Sequence, residues 1–263
     1  MKIAVCVKQV PDSWAEKKMG SDGRLDRANV DAVLNDLDEY AVEEALKIVE
    51  AHSPTGEAGE GSGHTITVIS MGPERASEAV RKALSMGADD AIVISDDALG
   101  GSDALATSLI LAAEIKNGGY DIVVCGTEST DARMSVVPAM LAERLGYAQL
   151  TFAGSVKVDG TSITISRQTE FGVEEMSAPL PAIVSVVEKI NEPRYPSFKG
   201  IMAAKKKTIT TKSLADLGVS SQSSWSTVKD SALRPPRGAG VKVADEGDGG
   251  NKLVAFLQER RLA

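Results

Sequence analysis

Short β-branched apolar runs alternate with longer stretches of helical period through the first two-thirds of this 263-residue sequence. The runs span residues 3–7, 66–70, 91–94 and 122–125, and none of them alternates apolar with polar residues. Such runs are typical of strands buried on both faces. Because strands that alternate with helices form right-handed crossovers, the sequence predicts an α/β fold: an open, mainly parallel sheet with helices on both faces.

The segments between the runs carry helix signals. Apolar residues recur at three- and four-residue spacing after the first run, at Leu34, Leu37, Ala41, Ala45 and Ile48. This spacing predicts an amphipathic helix that packs on the sheet. Pro73 and Gly87 are typical start and stop residues of a second helix, and Ser102 is the expected N-cap of a third helix that ends near Lys116.

The pattern changes after residue 147. Residues 155–158 and 162–166 are joined by Asp-Gly-Thr and predict a hairpin, and residues 180–187 predict another apolar strand. The sequence therefore predicts a nucleotide-binding α/β domain over residues 1–210 that includes a small β-rich extension. Residues 211–263 contain few long apolar runs, so we expect an extended C-terminal arm that lies on another surface.

Charge and composition exclude several classes of function. The formal net charge of −8 argues against a nucleic-acid partner, which needs clustered Lys and Arg. No apolar stretch is long enough for membrane insertion, and the first run is too short for a signal sequence. The cysteines Cys6 and Cys125 stand in separate apolar runs, so we expect no disulfide framework, no metal site and a cytoplasmic, reducing location. Any redox chemistry must then come from a bound cofactor.

The exits of the predicted strands are the places where a ligand would bind in a parallel sheet. No dinucleotide or P-loop glycine fingerprint is present. The fourth exit, residues 126–135, is rich in small and hydroxyl side chains before a helix, which predicts a phosphate pocket with free backbone N–H groups. Asp131 would repel a phosphate unless its side chain points toward a ribose, and Arg133 could offset its charge. The alternative is that Ser129, Thr130 and Ser135 are only helix caps, and residues 35–38 have the same alternative.

Several motifs point to one family. They are LPAIV at 180–184, NEPRY at 191–195 and IMAAKKK at 201–207, with VKQV at 7–10, AVEEA at 41–45, GAD at 87–89 and AGVKV at 239–243. In this order they resemble the electron transfer flavoprotein β-subunit family over nearly the whole chain. The NEPRY segment with its Lys-rich continuation is the most specific of them.

The resemblance implies a heterodimer with an α-subunit whose C-terminal domain carries a redox-active FAD. The β-subunit would flank that FAD, bind its own AMP in a structural role and act as an electron carrier, with no catalytic residue and no metal of its own. It would shuttle single electrons from acyl-CoA dehydrogenase-type donors to a membrane-bound quinone oxidoreductase-type acceptor. The residues that the resemblance assigns to AMP are Cys6, Asn35, Asp36, Leu37, Asp38, Met71, Gly126, Thr127, Glu128, Ser129, Thr130, Asp131, Ala132, Arg133, Met134, Ser135, Val136 and Val137.

A partner-recognition loop is also implied, within about residues 191–207. Its expected contact residues are Tyr195, Phe198, Ile201, Met202 and Lys205. Phe198 stands where the family carries an apolar anchor, and an exposed aromatic side chain on a loop buries a large rigid area at little rotamer cost. The alternatives are that Phe198 packs on its own domain and that the lysines at 205–207 are an ordinary solvated edge.

Two other functions remain open at this stage. The stretch 129–134 differs from the common form of the family's loop, and flavin-bifurcating members hold a second FAD where others hold AMP; we expect AMP here. A stand-alone AMP- or ATP-binding stress-type module shares the α/β layout, but it would leave the NEPRY region unexplained.

Overall fold

The computed structural model describes residues 1–59 and 61–262. Glu60 and Ala263, the last residue of the expected arm, lie outside the described residues. The strands are β1 (Lys2–Cys6), β2 (Gln9–Pro11), β3 (Ala32–Leu34), β4 (Thr65–Met71), β5 (Asp90–Ile94), β6 (Ile122–Gly126), β7 (Ala148–Ala153), β8 (Ser155–Asp159), β9 (Ser162–Thr169), β10 (Gly172–Pro179), β11 (Ala182–Val186) and β12 (Ile209–Lys212). The helices are α1 (Asp36–His52), α2 (Ser77–Met86), α3 (Ala104–Gly118), α4 (Val137–Leu145), α5 (Phe198–Lys206), α6 (Leu214–Leu217) and α7 (Gly249–Glu259).

A seven-stranded sheet forms the centre of the fold, in the order β12-β5-β4-β1-β6-β11-β7. Every neighbouring pair in it is parallel. The four apolar runs became β1, β4, β5 and β6, so the predicted α/β class is confirmed. Their unbroken apolar character follows from burial on both faces.

Helices cover both faces of this sheet. One core cluster joins Leu46 of α1, Val80 of α2 and Ala204 of α5 to the sheet. The opposite cluster brings in Ile110 of α3 and Leu141 of α4. The segments that precede α1 and α4 meet at the carboxyl ends of β1 and β6, since Asn35 bonds to the carbonyls of Lys8 and Glu128.

Local structure departs from the sequence expectations at three places. Asp103, not Ser102, caps α3 through a 2.9 Å bond from the Ala106 amide, because the helix begins one residue later than expected. The predicted hairpin is present as β8 and β9, and β10 adds a third antiparallel strand that we did not predict. The strand expected over 180–187 covers only Ala182–Val186.

The first residues of the expected C-terminal arm are folded onto the α/β domain. β12 pairs with β5 at the sheet edge, and Leu214 and Leu217 of α6 are buried. The expected boundary near residue 210 therefore falls inside a sheet strand, and the chain separates into compact units at Lys229 and Asp230. The second unit, residues 230–263, contains α7, and none of its described residues is buried. Within the described ranges, no helix is long and apolar enough to cross a membrane.

Candidate functional site

The carboxyl ends of β1 and β6 meet at the centre of the sheet, where Cys6 lies opposite Cys125. The connections diverge at this point, since β1 is followed in the sheet by β4 on one side and by β6 on the other. Such a switch point is where open α/β sheets bind ligands. The loop after β6, residues 126–137, and the start of α1 both border it.

Asn35 joins these two segments. Its buried amide group donates to Asp38 Oδ1 and to the Glu128 carbonyl, both at 2.9 Å. Its Oδ1 accepts from the Thr130 amide at 3.0 Å. These bonds fix the loop after β6 against the N-terminus of α1, although 93 residues separate Asn35 from Glu128.

The capping alternative for these residues does not match the geometry. No side-chain capping bond exists at the start of α1, where Asn35 is the N-cap, or at the start of α4, where Val136 is. Ser135 instead donates to Glu128 Oε2 at 2.8 Å, and Ser129 accepts from Lys8 Nζ at 3.3 Å. Ser135 therefore bonds within the loop, and Ser129 bonds to the residue two positions after β1.

Asp38 is a buried carboxylate at the base of the site. It accepts from the Lys8 amide at 2.8 Å in addition to Asn35. Burial raises the pKa of Asp38 to about 7, against these hydrogen bonds, which favour the charged form. A Cβ atom at Gly126 would lie 2.5 Å from Asp38 Oδ1 and 2.8 Å from the Leu37 carbonyl oxygen, so only glycine fits there.

Asp131 is the charged centre of the loop, and its side chain is completely buried. Lys8 Nζ and Arg27 Nη2 each lie 2.7 Å from its carboxylate oxygens. Burial works against ionisation, but the two cations outweigh it and lower the pKa of Asp131. Lys8 and Arg27, rather than Arg133, therefore neutralise Asp131. No local sequence signal links either residue to Asp131, because each lies more than a hundred residues away.

The backbone of the loop is shaped for an anion. Arg133 and Ser135 adopt positive φ angles of 51° and 55°, which non-glycine residues seldom do. Among the described residues, no acceptor contacts the amide N–H groups of Met134, Ser135 or Val136. Unpaired amides in such a turn before a helix form an anion-binding concavity.

A cleft of about 520 Å³ opens beside the loop. Its lining is Asp36, Leu37, Tyr40, Glu128, Thr130, Arg133 and Glu188. Tyr40 and Glu188 were missed by sequence analysis, because Tyr40 reads as a helix residue and Glu188 follows β11. The structure does not bring all predicted residues to this cleft: Cys6, Met71 and Val137 pack against the α3–α4 core cluster, and Met134 is exposed.

The NEPRY segment is fastened to α1. Arg194 forms ion pairs with Glu43 and Glu50, each at 2.7 Å. These pairs raise the pKa of Arg194 further above its ordinary value. Asn191 donates to the Tyr40 carbonyl and to Glu44 at 3.0 and 2.9 Å. The polar side chains of Asn191 and Arg194 therefore fix the segment that leads into α5 against α1.

The far end of this segment is anchored on α2. Arg81 donates to the carbonyls of Ala204 and Lys207, and Lys207 Nζ donates to the Ala88 carbonyl at 2.6 Å. A Cβ atom at Gly200 would lie 2.5 Å from the Ser85 carbonyl oxygen, so the helix approaches α2 closely. Lys207 is thus a structural residue, whereas Lys205 and Lys206 are exposed.

The expected recognition residues are exposed between the two anchors. Tyr195 is 97% exposed, Phe198 80%, Met202 42% and Ile201 40%. Phe198 does not pack on its own domain. It also begins the helix α5 rather than standing on a loop, because Ser197 caps this helix by accepting from the Gly200 amide. Residues 198, 201, 202 and 205 share one helix face through their three- and four-residue spacing. We call Tyr195 together with this face the docking surface.

Comparison with known proteins agrees with the resemblance. The family model described as the electron transfer flavoprotein domain matches residues 22–217. The electron transfer flavoprotein subunit beta of Mycobacterium tuberculosis is 49% identical over 267 residues, covering 99% of this chain and 98% of that protein. The subunit of the same name from Megasphaera elsdenii is 34% identical over 275 residues, with 100% and 98% coverage.

A third relative carries a different name. The caffeyl-CoA reductase–Etf complex subunit CarD of Acetobacterium woodii is 34% identical over 270 residues, covering the full length of both chains. The domain match and these full-length similarities confirm the resemblance seen in the NEPRY region. The chain belongs to the electron transfer flavoprotein family, among its β-subunits.

Proposed function

We propose that this β-subunit binds AMP at the switch point of its sheet and flanks the FAD of an α-subunit. The heterodimer carries single electrons from acyl-CoA dehydrogenase-type donors to a membrane-bound quinone oxidoreductase-type acceptor. FAD supplies the one-electron chemistry when it is bound. The name of the relatives, subunit beta, supports the heterodimer, and the AMP, the donors and the acceptor rest on the arguments below.

The observation that carries the AMP proposal is the loop 126–137 with its unpaired amides. A phosphate accepts hydrogen bonds and carries negative charge, so it suits the free N–H groups at Met134, Ser135 and Val136. The pairing of Asp131 with both Lys8 and Arg27 leaves a net positive charge on this triad. The residues present therefore fit a nucleotide phosphate. Asn35 bonds to the loop and to Asp38, and these bonds fix the position of the loop.

The docking surface supports a protein partner. Large apolar side chains that remain exposed in one contiguous patch mark interaction sites. Anchors at Arg194 and Arg81 fix both ends of the segment, so docking loses little conformational freedom. This chain supplies no acid, base or nucleophile in the proposal. Its residues position the nucleotide and select the electron donor.

The C-terminal unit supports the α-subunit as a partner in the same way. Leu253, Val254 and Phe256 of α7 are between 43% and 58% exposed. A helix with such side chains needs a surface that covers them. We propose that residues 230–263 pack on the α-subunit and that the heterodimer resides in the cytoplasm.

The test is a nucleotide count. The chain is purified with its α-subunit, the complex is denatured, and the released nucleotides are quantified by chromatography and mass spectrometry. One FAD and one AMP per heterodimer are expected. Two FAD without AMP would replace the proposal by the bifurcating type, and a homodimer without flavin would contradict it.

A matched pair of variants ties the AMP to the loop. Ser135→Val places a β-branched side chain at a φ of 55°, whereas Ser135→Gly relieves that conformation. AMP content is expected to fall in the valine variant and to remain in the glycine variant, with FAD unchanged in both. Equal AMP in the two variants would place the nucleotide elsewhere.

A further inference from the structure

The two cysteines of the sequence meet across adjacent strands. Cys6 of β1 and Cys125 of β6 are direct partners in a parallel register. Both side chains lie on the sheet face that packs against α3 and α4. The sequence separates them by more than a hundred residues, so only the fold makes them a pair.

Strand spacing brings this pair within reach of a covalent bond. Neighbouring strands lie about 4.8 Å apart, and disulfides join Cα atoms that are about 4.4–6.8 Å apart. A relaxed disulfide holds its Cβ atoms at about 3.8 Å, which is closer than the strand spacing. A bond at this position would therefore be strained, and strained disulfides are easily reduced.

The two thiols differ in their surroundings. Cys6 is half-buried at the exit of β1, whereas Cys125 is buried within β6. The neighbouring Cys6 side chain, then burial and the nearby charge of Asp38, raise the pKa of Cys125. Cys6 is thus the thiol that a solvent-borne oxidant reaches first, and Cys125 remains beside it as a thiol.

We propose that Cys6 and Cys125 are a redox-responsive pair that closes to a disulfide when the chain meets a hydroperoxide. The Cys6 thiol gives up its proton as its sulfur attacks a peroxide oxygen, the O–O bond breaks, and the departing hydroxide takes that proton, so that a sulfenic acid and water form. The Cys125 sulfur then attacks the Cys6 sulfur, the S–O bond breaks, and a second water leaves. Two thiols and one hydrogen peroxide yield one disulfide and two waters.

The position of the pair connects it with the nucleotide site. Gly126 follows Cys125 directly and touches Asp38, so movement of β6 toward β1 shifts the base of the loop. This link rests on the proposed function: AMP bound to the loop after β6 would restrict the movement of β6 and slow disulfide formation. Disulfide formation itself needs no nucleotide, so the two can fail separately.

The test uses the full chain together with its α-subunit. Hydrogen peroxide is added in steps, remaining thiols are alkylated, and a non-reducing digest is analysed by mass spectrometry. Both thiols are expected to disappear together, with a peptide cross-linked between Cys6 and Cys125 that dithiothreitol releases. Oxidation of Cys6 alone, intermolecular bonds only, or two thiols that stay free in the folded complex would each overturn the proposal.

Two variants separate the steps. In Cys125→Ser, Cys6 has no partner and a sulfenic acid that dimedone traps is expected. In Cys6→Ser, the buried Cys125 is expected to resist the same peroxide dose at least tenfold longer. Equal oxidation rates in the two variants would contradict the order of attack. If saturating AMP leaves the rate of cross-linking in the wild type unchanged, the link to the nucleotide site is wrong while the disulfide stands.

Discussion

The loop at 126–137 and the docking surface both depart from the usual distribution of side chains. The loop buries a charged side chain, and the docking surface exposes large apolar ones. In the loop, the carboxylate of Asp131 is completely buried. At the docking surface, the side chains of Tyr195 and Phe198 are largely exposed to solvent. Charged residues are seldom buried and large aromatics are seldom fully exposed, so both regions depart from what folding alone favours.

The difference lies in how each departure is tolerated. Buried Asp131 is stable because two cations from distant parts of the sequence pair with it. The exposed apolar side chains are not satisfied within the chain, and only the flanking residues of their segment are bonded. The first arrangement stabilises the fold, and the second leaves a surface for a partner. Substitutions should therefore change stability at the loop and binding at the docking surface.

The largest expected effect is that of Asp131→Lys. It places a third cation between Lys8 and Arg27 in a buried position, so the free energy of unfolding should fall by about 3–4 kcal/mol. Urea unfolding of the full chain, followed by circular dichroism, measures this. Asp131→Asn keeps the shape and should cost about 1–2 kcal/mol, because the hydrogen bonds lose their charge. Equal stability of the lysine variant and wild type would show that the triad does not stabilise the loop.

The second effect is a fall of stability with rising pH, caused by Asp38. Its folded pKa of about 7 lies above its ordinary value of 3.8. Between these values the folded chain holds a proton that the unfolded chain has released, so the free energy of unfolding decreases as pH rises, by about 1.4 kcal/mol per unit. From about pH 5 to about pH 7 the contribution of Asp38 is roughly 2–3 kcal/mol.

Asp38→Asn isolates this contribution. Asparagine does not titrate, so the free energy of unfolding of this variant should lack the part of the pH dependence that Asp38 causes. Its NH₂ group would also face one of the two donors, the Lys8 amide or the Asn35 side chain, so the variant should be less stable than wild type at about pH 5. If both proteins show the same slope over this range, Asp38 is not its source.

Sequence reasoning recovered the sheet and the location of the loop but not what holds the loop. Apolar runs and turn residues are local signals, and they were sufficient for β1, β4, β5 and β6. The ion-pair partners of Asp131 are Lys8 and Arg27, and Arg27 lies in the connection between β2 and β3. Nothing in the local pattern links a lysine or an arginine to one carboxylate among many. Such pairings need the tertiary fold.

The third effect concerns the anchor of the docking segment. Arg194→Ala leaves Glu43, whose side chain is 7% exposed, without its cation, and the free energy of unfolding should fall by about 2 kcal/mol. Limited proteolysis should also cut more readily within residues 195–206. Arg167→Ala is the matched control, since Arg167 pairs with a more exposed glutamate, Glu174, and should cost less than about 1 kcal/mol. Equal losses in the two variants would contradict an anchoring role for Arg194.

The docking segment shows what a motif can and cannot predict. The letters of NEPRY pointed to the family, and the resemblance directed attention to Phe198. They did not reveal that Asn191 and Arg194 contact α1, because Glu43, Glu44 and Glu50 read as the solvated face of an ordinary helix. Turn-rich composition also concealed the helix α5. Ser197, which caps α5, is the local sequence signal for the start of this helix.

The smallest effect on stability is expected at Phe198, where the comparison between the regions is sharpest. Phe198→Ala removes an 80% exposed side chain, so the free energy of unfolding should change by less than about 0.5 kcal/mol. When an exposed aromatic side chain that anchors a partner is truncated, the affinity for that partner falls about tenfold or more. The rate at which an acyl-CoA dehydrogenase reduces the flavin of the heterodimer, measured against dehydrogenase concentration, reports this loss. Phe171→Ala removes an even more exposed phenylalanine in the β9–β10 turn and should leave the rate unchanged. If both variants lose the same rate, exposure alone does not define the docking surface, and α5 has no special part in it.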